Sequence, residues 1–234
     1  VDVRRHPSTG EALAALRSAG YRIVATTPHR EDVTPETFDV KRNKVFLNRE
    51  YGGVRLLFVQ MWPDGAARTW LEGQLSEVPS GEPVLLFTHD QPDIEAKHLL
   101  NPNGSGDINA KDGFENLVSD VSSVASSKEI PVREHRELAA FLKKHPAIVA
   151  YFHGNENYNE FYTWGGPDND IAVPVFRVDS PMKGNESGKD ETRLSFQLVS
   201  LDTEARKMTV REVLWNADPK RPAITWGESR TIGF

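Results

Sequence analysis

The chain has 234 residues, with a hydrophobic content of 38% and a charged content of 26%, as expected for a globular protein with a sizeable core. Its net charge of −6 disfavours binding to nucleic acids or anionic membranes, because both need a basic surface. Because the chain has no cysteine, it can form neither a disulfide nor a thiolate metal site. No apolar run reaches the roughly 18–20 residues of a membrane span and no signal-peptide pattern occurs, so we expect a soluble protein.

The beginning of the chain has the pattern of a short αβ unit. Ser8 and Glu11 have capping-box spacing at the start of a predicted helix, and a predicted strand follows that helix. The polar, proline-containing stretch 28–43 then contains a boundary. We therefore divide the chain into a first segment, 1–43, and a second segment, 44–234.

The second segment alternates predicted strands and helices. Residues 44–62 indicate two strands joined at Gly52-Gly53, which is a hairpin signal. The apolar runs within 82–90 and 147–161 are typical of strands that are covered on both faces. The other predicted elements are helices within 69–78, 114–125 and 132–145 and strands within 171–180, 192–202 and 207–215. This order predicts a layered αβ sandwich, and the last sixteen or so residues are predicted to be an irregular tail.

Two histidines follow the two predicted buried strands. His89 comes after the first of these strands and His153 ends the second, and ligands collect outside the carboxyl ends of strands in sheets of this kind. Neutral imidazole is a common ligand of zinc, manganese and iron, so both histidines are candidate metal ligands. Asp90, Asn155 and Asn157 can add oxygen ligands or contacts behind the ligands. In the alternative interpretation, all of these residues are polar caps at the ends of strands.

Four motifs follow one another in the second segment: YGGVRLLFVQMWPDG, TWLEGQL, PVLLFTHDQP and AIVAYFHGNENYN. In this order they resemble the latter half of the calcineurin-like metallophosphoesterases, from about residue 44 to 215. The third motif is similar to a family strand that ends in a metal-binding histidine, here His89. The fourth stands where the family has Gly-His-x-His: His153 takes the first histidine, Phe152 replaces the glycine and Asn155 replaces the second histidine. The closing strands, from FRVDSPMKG onward, look like the C-terminal sheet of a bacterial branch.

The resemblance implies a metal-dependent phosphoric ester hydrolase. In that family a pair of divalent cations (Mn, Fe, Zn or Mg) activates a bridging water and polarises the ester of a small-molecule substrate. His89 and His153 would then be metal ligands, and Asn155 a catalytic residue that acts as an oxygen ligand or contacts the phosphate. Asp90 and Asn157 would support these residues from behind.

The chain also departs from the family pattern. The Asp-x-His, Gly-Asp and Gly-Asn-His-Asp/Glu motifs of the family do not occur before His89. The expected fold is therefore α/β (α+β): a partial two-sheet αββα metallophosphoesterase sandwich, lacking its N-terminal half and preceded by a short αβ unit. We expect activity to be low or absent, because two or three ligands rarely hold a metal pair in catalytic geometry. The exposed sheet edges of such a half domain favour oligomerisation.

The first segment carries a second resemblance. HPSTGEALAALRSAGYRIVATTPHREDVTPETFDV is similar to the central part of SpoU-type RNA 2′-O-methyltransferases, without their cofactor-binding or catalytic motifs. The chain is therefore interpreted as a composite of two pieces that join near residues 40–44. Two alternatives to the hydrolase remain open: a non-catalytic αβ scaffold or interaction module, and a fragment of an RNA 2′-O-methyltransferase.

Overall fold

The computed structural model describes residues 45–95, 129–180, 188–189, 194–215 and 224–234. The first predicted segment, 1–43, and the helix predicted within 114–125 lie outside the described residues, so both stay predictions. Within the described residues the fold is mixed α+β, with two sheets and two helices, as the coarse class predicted. None of the described helices is long and apolar enough to cross a membrane.

The chain divides into two compact units, each of which contains one sheet. Among the described residues, the six-stranded unit comprises 45–155 and 161–177 with their gaps, together with Phe234. The three-stranded unit comprises 156–160 and the described residues from 178 to 233.

The six-stranded sheet has the spatial order β1-β2-β3-β4-β6-β5. Its strands are β1 (Phe46–Tyr51), β2 (Val54–Val59), β3 (Val84–Phe87), β4 (Ile148–His153), β5 (Glu160–Trp164) and β6 (Val173–Arg177). Strands β2, β3, β4 and β6 run parallel, and β1 is antiparallel to β2. Helix α1 (Gly65–Ser76) connects β2 to β3, and helix α2 (Glu129–Lys144) precedes β4. The parallel strands therefore end at a common side of the sheet.

The predicted hairpin is confirmed. Gly52 and Gly53 have φ angles of 60° and 79°, so both residues of the turn between β1 and β2 are left-handed. A two-residue turn of this kind matches the twist of the flanking strands and strongly favours glycine. The turn sets the register, in which Tyr51 lies opposite Val54 and Phe46 opposite Val59.

The two faces of the sheet are packed differently. One face joins the core around α1 and α2, and the buried members of that core include Leu57, Leu71, Leu86, Leu138, Tyr151 and Val175. The other face carries a row of stacked rings, Phe58, Phe87, Phe152 and Phe176, whose successive centroids are 4.6, 4.8 and 5.0 Å apart. Because side chains alternate between faces, an apolar run such as VLLF fills both faces at once.

Helix α1 begins earlier than predicted. The Asp64 side chain accepts a hydrogen bond from the Ala67 N–H at 3.0 Å and so caps a helix that starts at Gly65. An aspartate at this position satisfies one of the free N–H groups of the first turn. The prediction of a helix within 69–78 found the apolar spacing but not the cap.

The three-stranded sheet is antiparallel and consists of β7 (Leu194–Asp202), β8 (Lys207–Trp215) and β9 (Ile224–Gly233), in that spatial order. The prediction of an irregular tail was wrong, because β9 occupies most of that segment. The pairing of β9 with β8 shifts in register near Glu212, and the Glu212 carboxylate lies where a side chain at Gly227 would stand. The mostly exposed side chains of β9 give little apolar alternation, so backbone pairing rather than burial defines this strand.

Candidate functional site

The candidate site lies where the parallel strands β2, β3, β4 and β6 end, and we call this region the carboxyl rim. It consists of Met61, His89, Asp90, Gln91, His153, Asn155 and Arg177, together with Tyr162 of β5, whose hydroxyl reaches His153. All of these residues belong to the six-stranded unit. Ligands bind at the carboxyl ends of parallel strands in many α/β sheets, so the position itself suits a binding site.

The ends of β3 and β4 lie side by side, as the sequence predicted. Phe87 is opposite Phe152 in the parallel register, and the Thr88 N–H donates to the Phe152 carbonyl at 2.9 Å. The Gly154 N–H then donates to the His89 carbonyl at 3.0 Å. These bonds hold His89 and His153 on neighbouring chain segments, with His153 buried and His89 half-buried.

Met61 anchors the loop that carries His89. Its carbonyl accepts hydrogen bonds from the His89 N–H and the Asp90 N–H, both at 3.0 Å. Met61 is 1% exposed and has a φ angle of 63°, a left-handed conformation that costs a residue with a side chain about 1–3 kcal/mol. Strain of this kind clusters at functional sites. No residue pattern in the sequence pointed to it.

His153 is hydrogen-bonded through both ring nitrogens. Its Nδ1 lies 3.1 Å from the Gly154 carbonyl, which can only accept, so Nδ1 carries the proton. Its Nε2 lies 3.1 Å from the Tyr162 hydroxyl and accepts from it. Burial, the Arg177 guanidinium and the nearby His89 lower the pKa of His153 to about 3, so the ring is neutral at pH 7.

Arg177 ends β6 in register with His153 and is 6% exposed. Its Cζ lies 5.7 Å from the centroid of the Tyr162 ring. The guanidinium is therefore next to both members of the Tyr162–His153 hydrogen bond. Sequence analysis missed Arg177, although it ends an apolar strand just as His153 does; that position was the signal that could have found it.

Asp90 is fully buried, and its carbonyl accepts a hydrogen bond from the Tyr151 hydroxyl at 2.9 Å. Thr88 Oγ1 lies 2.8 Å from the same carbonyl and 3.0 Å from the Tyr151 hydroxyl. Burial raises the pKa of Tyr151 well above its ordinary value, and the Asp90 charge adds to this effect. The supporting role of Asp90 stays a prediction.

The two predicted asparagines fall in different units. Asn155 follows β4 with a φ angle of 71°, and its Nδ2 lies 3.5 Å from the side-chain oxygen of Gln91, a long and weak contact. Asn157 belongs to the three-stranded unit and is half-buried, with a φ angle of 59°. The catalytic role of Asn155 and the supporting role of Asn157 stay predictions.

A metal pair needs more ligands than the described part of the carboxyl rim supplies. Among the described residues, no three histidine, aspartate or glutamate side chains come together in a way that could hold an ion. The Arg177 guanidinium also places a positive charge beside His153, which disfavours a cation there. The described residues alone therefore do not complete a metal pair, and metal ligation by His89 and His153 stays a prediction.

Comparison with protein-family models gives no match for this chain, and comparison with curated proteins gives none. The function is therefore inferred from the carboxyl rim together with the resemblance of the four motifs.

Proposed function

We propose that the chain is a phosphoric ester hydrolase of the calcineurin-like type and that the ester binds at the carboxyl rim. The observation that carries this proposal is the hydrogen bond from the Gly154 N–H to the His89 carbonyl at 3.0 Å. It supports the convergence of His89 and His153 that the resemblance requires. The partial two-sheet sandwich of the family belongs to the same proposal, and the two sheets and two helices of the described residues are compatible with it.

The chain's own residues suit the binding and orientation of an ester. His153 is too weak a base to take a proton at pH 7, because its pKa lies near 3. Its Nε2 instead fixes the direction of the Tyr162 hydroxyl, while the Gly154 carbonyl holds the ring in one tautomer. Because the Tyr162 hydroxyl donates its one proton to Nε2, its oxygen can only accept a further hydrogen bond from a substrate.

Asn155 supplies a hydrogen-bond donor for the ester in this proposal. Its backbone is left-handed, a conformation that asparagine tolerates better than most residues, and its side chain is half-buried. The contact of its amide with Gln91 is long, at 3.5 Å, so the amide gives up little when it turns to a phosphate oxygen.

The test is an assay of p-nitrophenyl phosphate and bis(p-nitrophenyl) phosphate with added manganese or zinc. We expect slow turnover that a chelator abolishes and that His89→Ala lowers at least tenfold. His145→Ala is the matched control, because His145 is also half-buried but lies next to the start of β4. Turnover that resists the chelator would refute the metal-dependent class, and equal turnover in both variants would refute the carboxyl rim as the site.

A non-catalytic binding module is the second candidate. The observation that favours it is the bonding of both His153 nitrogens within the protein, next to a buried guanidinium. This candidate predicts no turnover with any metal and no effect of a chelator on the melting temperature. A melting temperature that falls on chelation would exclude it.

A further inference from the structure

We propose that Arg177 forms an anion subsite of the carboxyl rim, which binds the non-bridging oxygens of a phosphate group. The choice of a phosphoric ester as the natural ligand rests on the proposed function, whereas binding of inorganic phosphate does not. Arg177 lies in FRVDSPMKG, within the range of the phosphoesterase resemblance, but the resemblance gives it no role.

The order of the strands brings three side chains of the carboxyl rim into a row. Strands β3, β4 and β6 are neighbours and parallel, so the residues at their carboxyl ends form a row. His89, His153 and Arg177 occupy that row in this order, with His153 directly opposite Arg177 in the register. Arg177 carries N–H donors that suit the oxygens of an anion, whereas both ring nitrogens of His153 are already hydrogen-bonded within the protein.

Arg177 brings a positive charge to the carboxyl rim. Arginine remains protonated at any pH the protein meets, and its planar guanidinium presents five N–H groups that can bind phosphate through two parallel hydrogen bonds. Arg177 keeps this charge at 6% exposure, in a place where burial weakens solvent screening. The field of the guanidinium already reaches His153, whose pKa it helps to lower. The same field attracts an anion and repels a cation.

The contact with Tyr162 restrains the orientation of the Arg177 guanidinium. The Tyr162 ring lies 5.7 Å from Arg177 Cζ, within the range of a cation–π contact, and the Tyr162 hydroxyl is bonded to His153. One side chain therefore restrains both the guanidinium and the imidazole. A donor group held in place before binding loses less entropy when the ligand arrives.

The buried carboxylate of the carboxyl rim lies towards the other end of the row. Asp90 follows β3, and its charge acts on Tyr151, whose hydroxyl reaches the Asp90 carbonyl. Asp90 is not among the groups that shift the pKa of His153, whereas Arg177 and His89 are. Arg177 therefore brings a positive charge to the end of the row formed by β4 and β6, and we expect a phosphate to bind there.

The test is a titration of inorganic phosphate into the full chain, followed by calorimetry, with wild type, Arg177→Gln, Arg177→Lys and Arg55→Gln. Losing hydrogen bonds to a charged group weakens binding by about tenfold or more, and we expect this for Arg177→Gln. Lysine keeps the positive charge but cannot make two parallel hydrogen bonds to phosphate, so Arg177→Lys should bind phosphate a few-fold more weakly than wild type. Arg55→Gln is the matched control, since Arg55 is an arginine of the same sheet at the start of β2, and it should bind as wild type does.

Several outcomes would overturn the subsite. The first is that the wild-type chain does not bind phosphate. The second is that Arg55→Gln weakens phosphate binding as much as Arg177→Gln does. The third is that neither Arg177→Lys nor Arg177→Gln changes phosphate binding. If Arg177→Gln does not fold, as judged by its melting curve, Arg177→Lys decides alone, and unchanged binding refutes the subsite. Triethyl phosphate, which is neutral, should not compete with phosphate, and competition would contradict an anion site.

The same variants separate this inference from the proposed function. Phosphate binding that depends on Arg177 without any turnover would support the subsite and remove the hydrolase. Turnover with a KM that Arg177→Gln leaves unchanged would support the hydrolase and remove the subsite.

Discussion

Charged side chains at the two ends of the parallel strands differ in their exposure to solvent. At the starts of the strands, which we call the amino rim, Arg55 Nε bonds Glu82 Oε1 at 2.9 Å, and both side chains are partly exposed. At the carboxyl rim, Asp90 and Arg177 are 0% and 6% exposed. Burying ionised groups costs free energy that a solvated ion pair avoids. The comparison therefore shows that the charged side chains of the carboxyl rim are more deeply buried than the ion pair of the amino rim.

The backbone shows the same contrast. The turn at the amino rim obtains its left-handed residues from Gly52 and Gly53, which adopt that conformation at little cost. The carboxyl rim uses Met61 and Asn155 for left-handed positions. A buried methionine in this conformation is strained. The carboxyl rim therefore contains a strained left-handed residue, whereas the turn at the amino rim uses glycine for its left-handed positions.

The largest expected effect on stability is that of Met61→Ile. A β-branched side chain in the left-handed region adds to the existing strain, and we expect a loss of about 2 kcal/mol in the free energy of unfolding. Urea denaturation measures this loss. Met208→Ile is the control, because Met208 is equally buried but lies in β8, where a β-branched residue fits. Equal losses in the two variants would show that Met61 is not strained.

Tyr151→Phe and Tyr51→Phe compare one hydroxyl at each rim. The Tyr151 hydroxyl is buried and donates to the Asp90 carbonyl, so its removal should cost about 1 kcal/mol of unfolding free energy. Tyr51 is 40% exposed at the amino rim, and its hydroxyl should contribute almost nothing. Urea denaturation measures the loss of unfolding free energy in each variant. Equal losses would argue against an ordered hydrogen-bond cluster at the carboxyl rim.

Arg55→Gln tests the solvated pair of the amino rim. It removes the bonds of Arg55 to Glu82 and Asn48, which are partly exposed, and should lower the unfolding free energy by less than about 1 kcal/mol. Raising the salt concentration should shrink that loss further. A larger loss that does not depend on salt would place a strong buried pair at this rim and weaken the contrast.

The smallest expected effect is the pH dependence contributed by His135. Its Nε2 lies 3.0 Å from the carbonyl of Ile94, which follows the carboxyl rim, and burial lowers the pKa of His135 below 6.5. The unfolded chain then binds more protons, so the stability that neutral His135 contributes is present above pH 6.5 and is lost as the pH falls through the folded pKa. Since solvent screens this half-buried ring, the effect should stay below about 0.5 kcal/mol.

Urea denaturation of wild type and His135→Gln between pH 7.5 and 5 isolates this contribution as the difference between the two pH profiles. Parallel profiles would show that His135 titrates alike in the folded and unfolded chain.

Local patterns predicted much of the six-stranded sheet. The Gly52-Gly53 turn was readable because only glycine suits two successive left-handed residues. Strands β3 and β4 were readable from their short apolar runs, and the convergence of His89 and His153 followed from the parallel pairing of those strands. Helix α1 was found by its spacing, but its start depended on a single capping residue.

Other features depend on contacts that no local pattern encodes. A left-handed methionine leaves no trace in composition, and the two hydrogen bonds that the Met61 carbonyl accepts come from residues far along the chain. Strand β9 is mostly exposed, so its pairing with β8 carries no apolar signal. Arg177 also ends an apolar strand, but a guanidinium is not a metal ligand, so the predicted metal site did not include it.

The most direct test of the carboxyl rim as the phosphate site is a phosphate titration followed by the backbone amide resonances of the ¹⁵N-labelled chain. The amides of His89 and Gly154 should shift progressively with phosphate, since they lie at the carboxyl rim, whereas those of Arg55 and Glu82 at the amino rim should not move. Shifts confined to the amino rim, or none at the carboxyl rim with saturating phosphate, would contradict the proposed location.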